Sequence, residues 1–374
     1  MVTNKEQNKL NVPHLRFPEF HGEWEKCKLG DIAEFSSVRV SSAKLDCKNY
    51  VSTENMLQDF QGVVEAKSVP NETNVISFTC GDILISNIRP YLKKIWKATF
   101  DGGCSSDVFV LHATDNVAKD YLHYAVANDK FISYVMSGAK GVKMPRGDKN
   151  QMRTYQLSLP SIQEQHKIAK LLTLLDERIA TQSKLIEKLE SLIKGLAHHC
   201  IRDFTNDCEY VRLGDISKIT TGKLDANAQV ENGQYPFFTC AERPFNIDSY
   251  AFDTEALLIS GNGANLGYIN YYKGKFNAYQ RTYVLDHFSV NIQYLKWALK
   301  VLLPQRIAIE KSSSNTPYFV LSTLADLKIP ILNISKQNRI ANLMMSFERK
   351  LSNQLALSDL YNKQKQYMLR QMFI

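Results

Sequence analysis

The chain has 374 residues, 44% of them apolar, and carries a net charge of +8. That length supplies two or three cored domains, and the mild basic excess fits a polyanionic partner. No apolar run approaches the roughly 18 residues of a membrane span. The seven scattered cysteines, odd in number and without a C-x-x-C, argue against a disulfide framework or a structural zinc site.

Residues 1–160 read as an N-terminal arm and a first globular region. The opening MVTNKEQNKLN is polar and lacks a signal-peptide core. A frayed arm and a reducing, cytoplasmic location are the expectation. Pro13 and Pro18 set an extended lead-in with Phe17, Phe20 and Trp24 as apolar anchors. Leu29-Gly30-Asp31-Ile32 opens the globular part. Short apolar or alternating runs at 83–86, 94–98 and 108–111 predict strands. Residues 120–135 predict one helix. The basic, turn-rich stretch 138–153 predicts a surface loop.

Residues 161–200 predict one long helix. Ile168, Leu172, Leu175, Ile179, Gln182, Ile186, Leu189, Ile193 and Leu196 alternate steps of four and three, and only Gln182 is polar. That is a sustained heptad seam. Roughly 35 helical residues span about 50 Å, and such a stripe needs a partner helix. His198-His199, near the predicted end, are expected to face terminal carbonyls rather than a metal; no H-E-x-x-H occurs among the eight histidines.

Residues 201–332 repeat the first region. Leu213-Gly214-Asp215-Ile216 matches the earlier opening, residues 257–260 match the run ending at Ser86, residues 283–285 match 109–111, and YLKWAL matches YLHYAV. Residues 333–374 then repeat the helix, with Ile340, Phe347, Leu351 and Gln354 on its seam. Gln165, Ile168 and Asp176 match Gln337, Ile340 and Glu348, and Gln182 matches Gln354. The two copies share landmarks and differ in the loops between them, as two modules reading different targets would.

Catalytic patterns are weak. An apolar strand at 258–260 precedes G-x-G-x-x-x-G from Gly261 to Gly267, like a dinucleotide or methyl-donor loop. That chemistry needs a helix N-terminus after the glycines. The following YINYYKGKF reads instead as strand and turn. Asn315-Thr316-Pro317-Tyr318 is one residue from the N-P-P-Y of amino-methyltransferases, but Thr316 stands where the first proline belongs, so a turn is expected. Glu65-Ala66-Lys67 is too short a pattern to mark a nuclease. What remains is basic and amide side chains in loops, suited to phosphates and base edges. The first copy offers Asn87, Arg89, Tyr91, Lys93, Lys94, Lys140, Lys143, Arg146 and Lys149. The second offers Arg243, Asn262, Asn265, Gln280, Arg281, Lys311 and Asn315. On the residues alone, two other classes stay open. One is a stand-alone DNA adenine methyltransferase using the Gly261 loop and Tyr318. The other is a coiled-coil adaptor without a DNA role.

The stretches LRFPEF, WEKCKLGDIAEF, LPSIQEQHKIAKLLTLLDERI, YVRLGDISKI and IPILNISKQNRIANLMMSFERKL together resemble the DNA-specificity subunit of type I restriction–modification enzymes, over nearly the whole chain. The second copy departs from the pattern at Ser335-Lys336-Gln337 and Phe347-Glu348. The resemblance implies an α+β chain of two mixed α/β target-recognition domains held apart by two long antiparallel helices. Each domain would read one half of a bipartite double-stranded DNA site. Two modification subunits, carrying S-adenosylmethionine, and restriction subunits using ATP and Mg would dock on a chain that supplies address and no catalysis or cofactor of its own. Duplication of a helix-bearing module suggests a pseudo-two-fold axis. Gln182 and Gln354 are expected to meet near it and set the register. Lys184, Lys188, Arg349 and Lys350 would face outward toward partner subunits.

Overall fold

The computed structural model describes residues 10–202, 208–310 and 317–374. They form two compact units. One runs up to Gln182 and takes in Leu357–Ile374; the other is Ser183–Ala356. Among the described residues no helix is long and apolar enough to cross a membrane.

The first unit begins with β1 (Glu25–Lys28), α1 (Leu29–Ile32), β2 (Ala33–Phe35), β3 (Arg39–Ser41), β4 (Tyr50–Val51), β5 (Asn74–Phe78), β6 (Ile83–Ser86), β7 (Ile95–Lys97), β8 (Gly102–Cys104) and β9 (Val108–Ala113). The order β2-β9-β6-β7 makes one four-stranded sheet and β3-β5-β8-β4 another. β6 is buried on both faces, consistent with its unbroken apolar sequence. The helix predicted over 120–135 is two helices, α2 (Lys119–Val126) and α3 (Asp129–Ser137). Asn128 causes the break: its side chain accepts from the Phe131 N–H at 3.0 Å and caps α3. The predicted loop 138–153 likewise ends in a short helix, α4 (Lys149–Arg153), capped by Asp148. β10 (Gln156–Leu159) closes an antiparallel ladder with β1, Glu25 opposite Leu159.

The long helix α5 runs Ile162–Arg202, 41 residues, or about 60 Å. It passes through Gly195, and its last turn carries His199 and Arg202, so His198-His199 stand near the helix end as expected. In the first unit Ile168 and Leu172 are buried with Trp24, Tyr121, Tyr124, Met372 and Phe373. Arg178 Nε donates to Tyr361 Oη at 2.8 Å, and Asp176 pairs with Lys365 at 2.6 Å. As α5 ascends, its partners at the chain's C-terminal end descend, so the packing is antiparallel. Trp24 and Phe17 anchor the lead-in on this cluster.

The second unit continues with β11 (Glu209–Arg212), α6 (Leu213–Ile216), β12 (Lys218–Thr221), β13 (Tyr235–Phe238), β14 (Phe245–Ile247), β15 (Phe252–Ser260), β16 (Ile269–Ala278), β17 (Thr282–Asp286), α7 (Ile292–Glu310), α8 (Leu321–Ala325), β18 (Lys328–Ile331) and α9 (Ile334–Met372). One six-stranded sheet, β12-β17-β15-β16-β13-β14, replaces the two sheets of the first unit. The reason is β16. Its ten residues run unbroken, whereas the equivalent stretch of the first unit is split into β7 and β8. β11 and β18 repeat the β1–β10 ladder, Glu209 opposite Ile331. Leu189, Ile193 and Ala197 of α5 pack with Trp297 and Met344, flanked by Ile340, Phe347 and Leu351.

Every seam position is buried or half-buried, Leu175, Ile179, Ile186 and Gln354 among the half-buried and Gln182 among the buried, while Lys184, Lys188, Arg349 and Lys350 are exposed. The repeat extends to single hydrogen bonds. Buried Gln165 accepts from the Ala118 N–H at the start of α2 (2.9 Å), and its Nε2 donates to the Pro160 carbonyl (3.0 Å). Buried Gln337 accepts from the Asn291 N–H at the start of α7 (2.9 Å) and donates to the Leu332 carbonyl (2.7 Å). Tyr121 donates to the Ser158 carbonyl, and Tyr294 to that of Pro330. At the matched acidic positions, Asp176 accepts from Tyr124 Oη (2.8 Å) and Glu348 from Lys296 Nζ (2.6 Å). Burial alone would raise the Glu348 carboxyl; hydrogen bonding from Lys296 and the charge of Lys300 outweigh it and hold it below its ordinary range.

Candidate nucleic-acid interface

In the first unit two of the predicted loops are one structure. The chain leaving β6 turns through Asn87, Ile88 and Arg89. Residues 140–146 fold back as a hairpin closed by paired backbone bonds between Lys140 and Arg146 (3.0 and 2.9 Å). The hairpin then joins the first loop edge to edge. The Arg89 N–H donates to the Pro145 carbonyl at 2.8 Å, and the Gly147 N–H donates to that of Asn87 at 3.0 Å. Asn87, Arg89, Lys140, Lys143 and Arg146 thus share one surface. Arg89 sits at φ +50°, a left-handed conformation costly for a residue with a Cβ. Its Nε and the Asn87 Oδ1 are buried atoms without a hydrogen-bond partner. Buried orphans and backbone strain in one turn are features that accumulate at functional sites. Lys140 and Arg146 each have a surface carboxylate at 3.3 Å, Asp148 and Asp107. Such exposed pairs are weak and readily exchanged.

The remaining candidates of this copy are placed otherwise. Lys93 pairs with Asp129 at 2.8 Å and lines a cleft with Asp59, Phe60 and Arg370. Its hydrogen bond to Asp129 raises its ammonium above the ordinary value. Lys94 Nζ donates to the Thr53 carbonyl at 2.6 Å; burial, then the nearby Arg89 charge, lowers it. Lys149 lies over the Phe35 ring, 5.0 Å from its centre. Tyr91 is exposed. The sequence shows their charges but not these local partners.

In the second unit four loops converge. Asn265 Nδ2 donates to the Cys240 carbonyl (3.0 Å), and the Gly261 N–H donates to that of Arg281 (2.8 Å). The Gly263 N–H reaches the Pro317 carbonyl (3.0 Å), which sets Asn262 opposite Tyr318. Gln280 and Arg281 line a cleft of about 350 Å³ with Thr220, Thr221, Gly261 and Phe319. The Phe319 ring stacks on Tyr283, 5.3 Å between centres. Arg243 is exposed on the neighbouring loop. Lys311 and Asn315 lie outside the described residues. The glycines serve a turn: β15 returns directly as antiparallel β16, with no helix after them. A Cβ on Gly261 would come within 2.5 Å of the Arg281 carbonyl oxygen, and Gly267 needs φ +82°. Among the described residues no cluster of His, Cys, Asp and Glu could hold a metal ion.

Two sets of loops with basic and amide side chains therefore sit at equivalent ends of two repeated scaffolds. The family model for the type I restriction modification DNA specificity domain matches this chain twice, over residues 21–191 and 205–357. The chain belongs to that family. It is 44% identical over 135 residues to the EcoDI specificity subunit of Escherichia coli, covering 36% of this chain and 30% of that protein. It is 26% identical over 259 residues to the MjaVIII specificity subunit of Methanocaldococcus jannaschii, covering 61% and 57%. The matched stretches thus span less than two thirds of either relative. In fold, the chain is similar to the S subunit of a type I restriction–modification system from M. genitalium, with a TM-score of 0.66 at 16% identity over 97% of this chain and 99% of the other.

Two features of this structure had little signal in the sequence. Val142 and Met144 form the exposed tip of the 140–146 hairpin, bracketed by Gly141 and Pro145, a turn signature read only as loop. The clamps of Gln165 and Gln337 showed as matched residues in the repeat, without their backbone partners.

Proposed function

We propose that this chain is the sequence-specific DNA-recognition subunit of a type I restriction–modification complex. It reads a bipartite double-stranded site, one half with each loop set. It docks two modification subunits and, with them, restriction subunits. It is not itself catalytic: S-adenosylmethionine, ATP and Mg belong to the partner subunits, and the complex works in the cytoplasm. The observation that carries this reading is the double family match, with each matched segment containing a convergent cluster of basic and amide side chains suited to phosphates and base edges. The exposed outer positions Lys184, Lys188, Arg349 and Lys350 are offered as contacts for partner subunits.

The test is methylome mapping by single-molecule sequencing, in cells carrying the modification subunit with and without this chain. Adenine methylation in one bipartite motif, lost with the chain, is the expected result. Unchanged methylation would sink the reading. Methyl-donor binding by the isolated chain would favour a stand-alone methyltransferase instead.

Arg89→Gly separates site from scaffold. Relief of left-handed strain is worth about 1–2 kcal/mol, against roughly 0.5–1 kcal/mol of added chain entropy. The variant is expected to melt a few degrees higher while binding its target more weakly. A lower melting temperature with unchanged affinity would show that Arg89 serves only the fold.

A further inference from the structure

The least covered large apolar side chain among the described residues is at a hairpin tip surrounded by positive charge. Val142 is 104% exposed and Met144 47%. Lys143 stands between them, Lys140 and Arg146 close the hairpin beneath them, and the base is pinned by the Arg89 N–H on the Pro145 carbonyl at 2.8 Å. Pro145 is buried, so the tip projects from a fixed base. An apolar pair held out in water on a rigid, basic stalk is poorly explained by folding: it contributes nothing to the core and costs solubility. It makes sense if the tip enters an environment that combines phosphate with apolar surface.

We propose that the hairpin 140–146 is a groove-reading element and that Val142 and Met144 contact thymine methyl groups in the major groove of one half-site. This rests on the specificity reading above and adds a chemistry that Lys, Arg, Asn and Gln cannot supply. A narrow hairpin, here closed by the single Lys140–Arg146 bridge, fits the major groove, about 12 Å wide, and not the minor groove of about 6 Å. Only the major groove displays an apolar group on a base edge, the thymine C5-methyl. Lys140, Lys143 and Arg146 then fall near the flanking phosphates, Lys140 and Arg146 exchanging their weak carboxylate pairs for them. Arg89 and Asn87 stand at the foot of the hairpin, on the same surface.

The test uses the complex of this chain with its modification subunits, and synthetic duplexes carrying the mapped motif. Each thymine is replaced in turn by uracil, which lacks only the methyl group. At one or two positions of a single half-site, the wild-type complex is expected to bind the uracil duplex about fourfold more weakly, the value of one buried methyl group. Val142→Ala and Met144→Ala, at exposed positions where folding is unaffected, are expected to bind thymine and uracil duplexes alike. Lys143→Ala should weaken all duplexes evenly and flatten the salt dependence. Equal wild-type binding of thymine and uracil at every position overturns the proposal. So does discrimination that survives both tip substitutions. A wild-type complex that prefers no motif at all would instead overturn the specificity reading itself.

Discussion

Exchanging residues 210–330 for the matching stretch of a relative with a different target is expected to rewrite one half of the methylated motif and leave the other half unchanged. Every described candidate of the second loop set lies inside this stretch, and every candidate of the first lies outside it. The joints suit transplantation. Residues 210 and 330 face each other in the β11–β18 ladder, whose bonds are backbone to backbone and tolerate most side chains. Gln337 grips the backbone N–H of Asn291, not its side chain, so an incoming module satisfies it by fold alone. Tyr294 donates to the Pro330 carbonyl, and the graft should keep a tyrosine there. The effect on the old half-site is large: about 1–3 kcal/mol per altered base pair, so three pairs lower affinity by on the order of a thousandfold. Methylome sequencing of the exchange strain reads the result directly. A motif altered in both halves would show that the loop sets do not read independently. An unaltered motif would place specificity outside residues 210–330.

How much of this was legible in the sequence depended on the range of the interaction. The helices α5 and α9 were readable because a heptad seam is a local, repeated pattern; Ile168, Leu172, Leu189 and Phe347 could be placed from spacing alone. The strand at 83–86 was readable because burial on both faces demands an unbroken apolar run. The break between α2 and α3 was hidden because apolar residues continue at helical spacing through it; a single Asn128 side chain decides it by capping. The joining of residues 87–89 to 145–147 left no periodic trace, since it is backbone pairing between segments far apart in sequence. Charge was the least informative signal. Lys93 and Arg146 look equivalent as basic loop residues. Yet one is committed to Asp129 beside a cleft, and the other stands at the foot of a projecting hairpin. Left-handed backbone at Arg89 was equally invisible, because glycine is the residue that announces it.

Gln337→Leu is expected to destabilise the second unit heavily while leaving the first intact. The amide is 3% exposed and serves two backbone groups at once, the Asn291 N–H and the Leu332 carbonyl. Leucine keeps nearly the same volume, so the loss is polar and not a cavity. Each buried backbone group left without a partner costs roughly 1–3 kcal/mol, and two together cost about 2–6 kcal/mol. For a unit of this size that lowers its melting temperature by on the order of 10 °C. Gln165→Leu should do the same to the first unit, where the orphans are the Ala118 N–H and the Pro160 carbonyl. Gln337→Glu distinguishes hydrogen bonding from shape. Its carboxylate still accepts from Asn291 but meets the Leu332 carbonyl with like charge; protonated, it donates there as the amide does. Its folded pKa therefore lies above the ordinary value of about 4.3. A group raised on folding stabilises at pH below its unfolded pKa, and that stabilisation is lost as pH rises through the folded one. Calorimetry from acid to neutral pH should find Gln337→Glu close to wild type in acid and close to Gln337→Leu at neutral pH. Equal melting temperatures for wild type and leucine variant would show that these two backbone groups find other partners, and that Gln337 does not hold α7 to α9.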